Sequence, residues 1–88
     1  MRELIEELYS DTEPVTFADG LDAAIIGFDP NLWRVVYSRN KVIELLQYRD
    51  QMSKEDALDY AEYNIFSAYI GDSTPVWAED FSWSEKKI

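Results

Sequence analysis

The side chains with the chemistry to act on another molecule are almost all carboxylates. Glu55, Asp59 and Glu62 recur at i, i+4 and i+7, so on a helix rising 1.5 Å per residue they stand about 6 Å apart along one face. That is near the spacing of successive phosphates on one nucleic-acid strand. Acid–base catalysis on such a row lacks its usual base, because the chain has no histidine. With no cysteine either, disulfides and zinc sites built on thiolate or imidazole are excluded, which fits a reducing compartment. Carboxylates alone can hold Mg²⁺ or Ca²⁺, but Asp19-Gly20-Leu21-Asp22 matches only the end of a calcium loop. No metal, no cofactor and no enzymatic activity are expected.

A second constellation is cationic. Ser38-Arg39-Asn40-Lys41 places two positive side chains where a helix begins, against the preference of the helix dipole for acids there. Free backbone amides with Arg39 and Lys41 would make an anion or nucleotide-phosphate site anchored at Ser38. The competing expectation is that both cations pair with neighbouring acids, and no glycine-rich phosphate loop supports the site.

The third constellation is aromatic. Tyr60, Tyr63, Phe66 and Tyr69 crowd the segment that carries the carboxylates. With Leu58, Ile65 and Tyr69 turned inward, Tyr63 and Phe66 are left outside or against a sheet. Aromatics beside acids are the composition of binding hot spots. The plainer alternative has Phe66 and Trp77 as core, with the remaining rings forming an exposed patch or a homodimer face. Asn64 is expected to bond a backbone group of the hairpin or of the Gly71 turn.

Charge layout indicates the kind of partner. The net charge of −10 comes from 18 acidic and 8 basic residues. Glu3 to Trp33 holds eight acids and no Lys or Arg, and Glu55 to Glu85 repeats that count. Between them Arg34, Arg39, Lys41, Arg49 and Lys54 face only Glu44 and Asp50. Such single-sign stretches repel nucleic acid and anionic membrane and attract basic protein surfaces. No long apolar run is present and Met1-Arg2-Glu3 begins no secretory signal, so a cytoplasmic protein is expected.

The elements positioning these groups are those of one small domain over residues 1–88, with 82–88 as a frayed tail. Arg2–Tyr9 reads as a helix with Leu4, Ile5 and Leu8 on its inner side. Ala23–Phe28 is either a buried strand or one helical turn. The turn chemistry of Asp29-Pro30-Asn31 favours the strand, paired with Trp33–Tyr37 in a hairpin. Ser38 or Asn40 caps a second helix to about Asp50, with Val42, Leu45 and Leu46 inside. Ser53, with Asp56 three places on, opens a third helix that closes on Gly71. Val76-Trp77 adds an edge strand, since Pro75 is tolerated at a strand's start. The fold class is α+β: a small antiparallel sheet covered by two to three helices.

From Tyr37 onwards the wording resembles a group of small uncharacterised acidic proteins recurrent in bacteriophage and prophage genomes. The residues that carry it are Met52, Ser53, Glu55, Ala57, Tyr60, Asn64, Ile65, Ala68, Tyr69, Gly71, Thr74 and Pro75. Ala23–Gly27 is similar to the group's earlier apolar run, and Asp72 stands where Glu is commoner. The resemblance implies a phage accessory protein working in the host cytoplasm and carries over no catalytic residue. The leading expectation is a non-catalytic module that binds a basic host protein through Glu55, Asp59, Glu62, Tyr63 and Phe66. One form of it is a DNA-mimicking inhibitor of a nucleic-acid-handling or defence protein. The alternatives are an anion or nucleotide binder at Ser38–Lys41 and a structural, oligomerising protein.

Overall fold

The computed structural model describes residues 1–68 and 71–81, and its central hairpin is set by one carboxylate. Strands β1 (Ile25–Asp29) and β2 (Arg34–Ser38) pair antiparallel. Asp29 Oδ1 accepts from the backbone N–H of Asn31 at 2.9 Å and of Leu32 at 3.2 Å, a side chain holding its own turn. The chain re-enters β2 through Trp33 at φ 57°, a left-handed conformation that costs a non-glycine residue about 1–2 kcal/mol. The apolar run Ala23–Phe28 divides between the two forms open to it. Asp22–Ala24 is a 3₁₀ turn, and extended backbone begins at Ile25. The register then slips between Ile25 and Gly27, leaving Ile26 as an extra residue in the ladder.

The third strand is present but runs the other way from the one expected. β3 (Val76–Ala78) lies parallel to β2 on the side away from β1, so the sheet is mixed, in the order β1-β2-β3. Two helices intervene between β2 and β3, and a helical crossover returns the chain to run in the same direction. The α+β class holds.

The second and third helices are each capped by a serine. Ser38 Oγ accepts from the Lys41 N–H at 3.2 Å and opens α2 (Arg39–Tyr48). Ser53 Oγ accepts from the Asp56 N–H at 3.1 Å and opens α3 (Lys54–Ala61). Val42, Ile43 and Leu46 are the buried residues of α2, with Leu45 only partly covered. Ala57 and Ala61, both fully buried, form the inner stripe of α3. Between the helices Gln51 sits at φ 58° and the Met52 N–H returns to the Leu46 carbonyl at 3.2 Å. Glycine bears no Cβ penalty there. Gln51→Gly is therefore expected to stabilise the fold by about 0.5–1 kcal/mol, seen as a higher urea midpoint at unchanged m-value.

α3 does not run on to Gly71. At Glu62 it widens into a π-helical turn, Glu62–Phe66, and the helix closes at Ser67. On an ideal helix Phe66 would lie about 180° round from Ala57, facing water. The wider turn inserts a residue and swings its ring back to 5.5 Å from Trp77. Gly71, at φ 107°, serves the next turn instead, its carbonyl accepting from the Thr74 N–H and hydroxyl at 3.2 and 2.6 Å.

The first helix, α1 (Arg2–Tyr9), also departs from expectation. Ile5 is its buried residue and Tyr9 is half-buried, whereas Leu4 and Leu8, expected inside, are exposed. The buried side chains form one cluster in which Tyr37, Leu46, Val35 and Val42 are the largest fully enclosed apolar groups. The expected frayed tail, 82–88, and the expected inward turn of Tyr69 lie outside the described residues.

Candidate protein-interaction surface

Burial of Ala57 and Ala61 fixes what α3 shows to solvent. Glu55 and Asp59 lie about 160° and 200° round from Ala57 and are exposed, as are Asp56 and Glu62. Leu58, expected to turn inward, is instead 42% exposed because Ala57 and Ala61 take the inner stripe, and with Tyr63, 82% exposed, it flanks this acidic row. Among the described residues Glu55, Asp56 and Asp59 make no ion pair. Carboxylates with no ion-pair partner among the described residues, bracketed by a ring and an aliphatic side chain, are suited to meet a cationic surface.

Glu62 is different, because Arg39 reaches it. The Arg39 guanidinium bonds the Glu62 carboxylate, places Nε 3.1 Å from Glu79 Oε1 and lies 4.1 Å above the Phe66 ring. A planar fork with five donors suits two carboxylates and one aromatic face together. Phe66 is thereby held half-buried between Arg39 and Trp77. It supports the face from beneath, and Tyr63 is the ring that projects. Asn64 bonds within its own helix, its Nδ2 donating to the Tyr60 carbonyl at 3.1 Å. The expected hairpin or Gly71 partner is not the one it uses.

The anion site expected at the start of α2 loses most of its parts to the fold. Ser38 is fully buried with its Oγ spent on the cap. Arg39 is committed to Glu62 and Glu79, and Asn40 Nδ2 donates to the Asp80 carbonyl at 3.2 Å. Lys41 remains exposed. The acid-rich composition decides this outcome, since cations at a helix start are drawn to the nearest carboxylates.

A cleft of about 470 Å³ was invisible in the sequence. Its walls include Phe17, Leu21, Ile65 and Trp77, with Arg49 and Asp50 at the rim. Arg49 donates to the Gly20 carbonyl and, at 3.2 Å, to Asp50 Oδ1. Arg49 is thus spent on groups of its own chain and aims no cation at a ligand. No local pattern announces this cleft, because it joins residues far apart in the chain. Among the described residues no group of three acidic side chains is close enough to hold a metal ion, and no helix is long and apolar enough to cross a membrane. The geometry of the α3 face stands without a template, because no family model, curated protein or solved structure matches the chain.

Proposed function

We propose that this protein is a non-catalytic binding module whose α3 face docks on a basic protein surface. The observation that carries the proposal is the exposed row Glu55, Asp56 and Asp59, free of ion pairs among the described residues and bracketed by Leu58 and Tyr63. The net charge of −10 supplies long-range attraction to such a partner. The likeness of residues 52–75 to small acidic phage proteins supports a host protein as the target, met in the host cytoplasm.

Strict mimicry of a DNA strand fits less well. Arg39 neutralises Glu62, so the phosphate-like row shortens to Glu55 and Asp59. A basic protein that handles nucleic acid remains the best-suited partner, bound through charge and the Tyr63 ring together.

The test is capture from bacterial lysate at low and high salt with the wild-type chain and with Glu55→Lys/Asp59→Lys. The wild type is expected to retain a basic partner that high salt releases. The double reversal is expected to weaken that contact by about 100-fold, as two like-charge juxtapositions do at an interface. A partner held equally by both forms, or one indifferent to salt, would overturn the proposal. Duplex DNA competing for the captured partner would restore the mimicry reading.

A further inference from the structure

We propose that the uncovered side of α1 is a second docking surface that takes a cationic amphipathic helix of a partner protein. It does not depend on the α3 face. On α1, Ile5 and Tyr9 point to the core, and the adjoining stripe holds Met1, Leu4 and Leu8 at i, i+3 and i+7. These three are 61%, 55% and 60% exposed. Leu32, 55% exposed, is a further apolar side chain on the hairpin turn.

An aromatic cluster braces α1 against the hairpin. The Tyr9 ring stacks on Phe28 at 4.4 Å and meets Trp33 edge-on at 5.6 Å, and Phe28 meets Trp33 edge-on at 5.2 Å. Trp33 accepts a left-handed backbone to stand there. Rings locked by one another offer an interface that needs little ordering on binding. Three large apolar side chains on one stripe of a helix anchored in this way are more than scattered surface hydrophobics.

Charge selects the occupant. Glu7 borders this stripe on α1, and Glu3, Asp11 and Glu13 lie on the helix and in the loop that follows it; all four are exposed and make no ion pair among the described residues. Arg2, the cation of this helix, lies on the opposite flank, tied to Glu6 at 3.1 Å and Asp22 at 3.2 Å and resting over the Phe17 ring. A second copy packing here would set acid against acid. A helix with leucine-like residues on one side and lysine or arginine beside them satisfies both the ridge and its acidic border. α1 is only about 12 Å long, so it grips roughly two turns and gives modest affinity.

The experiment is fluorescence anisotropy of the full chain with two labelled Leu/Lys peptides of one composition, one patterned as an amphipathic helix and one scrambled. The patterned peptide is expected to bind about tenfold or more tightly. Leu4→Ser/Leu8→Ser, at exposed positions that leave the melting curve unchanged, is expected to erase that preference. Glu55→Lys/Asp59→Lys is expected to retain it. Equal binding of both peptides, or a preference that survives Leu4→Ser/Leu8→Ser, would sink the proposal. So would light scattering that shows a concentration-dependent dimer abolished by the same double variant.

Discussion

Tyr37→Ala is expected to lower the unfolding free energy by about 3–5 kcal/mol, the usual cost of emptying a buried aromatic site. A domain of this length is stable by only about 4–13 kcal/mol, so the change removes a large part of the whole. Tyr37 is fully buried on the central strand, its ring 4.9 Å from that of Trp77. Its hydroxyl oxygen accepts the Ala18 N–H at 2.7 Å and so ties down the loop ahead of Gly20. Tyr37→Phe keeps the ring and orphans that amide, for a smaller loss of about 1 kcal/mol. Thermal melts check the ranking at roughly 4–8 °C per kcal/mol.

The same hydroxyl sets an alkaline limit. Burial pushes the Tyr37 phenol above its ordinary 10.0, and the carboxylates of Asp22 and Asp19 add to the shift, while the Ala18 amide and Arg2 oppose it. The folded state therefore holds this proton more tightly than the unfolded state. Its contribution is complete below about pH 10 and is lost as the pH climbs towards the raised folded value. The wild type is expected to lose stability above pH 10 more steeply than Tyr37→Phe, as urea midpoints taken across that range will show. Parallel curves would refute the assignment.

Trp77→Ala is expected to cost about 3 kcal/mol, near the low end for a large aromatic, because the site borders an open cleft that water can fill. Trp77 joins the three-residue strand β3 to the core by packing on Tyr37 and Phe66. Its Nε1 is buried with no hydrogen-bond partner among the described residues. An unsatisfied buried donor is a liability. Trp77→Phe discards that N–H along with some contact area and is expected to change stability by less than about 1 kcal/mol. Chemical denaturation of the two variants decides the matter, and a Phe variant as damaged as the Ala variant would mean the indole has a partner.

What was legible in the sequence was governed by neighbours in the chain. Asp29 and Pro30 make their turn from adjacent backbone, and Ser38 and Ser53 cap with amides three residues on. These devices work before any tertiary contact exists. The exposure of Glu55, Asp59, Glu62 and Tyr63 was also readable, because burying Ala57 and Ala61 leaves them no other side. The rest depended on partners distant in sequence. The π turn at Glu62–Phe66 brings the Phe66 ring to Trp77, a residue of a different element. The direction of β3 is expressed in its pairing with β2, where Val76 meets Val36. Arg39 sits at the head of one helix, yet its role is set by Glu62 and Glu79 far along the chain. The apolar pattern of α1 announced a helix correctly. It held more leucines than one core contact needs, and spacing alone does not show which of them stay outside.

The slipped register at Ile26 has a consequence for how the molecule behaves in a crowd. β1 borders the sheet, and the border of a sheet is where a stray strand from another molecule would attach and seed a fibril. An extra residue near the start of β1 breaks the even row of amides and carbonyls such a strand would copy. At the opposite border β3 offers only three residues. Neither rim is a good template, so the protein can display open apolar ground on α1 without its sheet being recruited into aggregates.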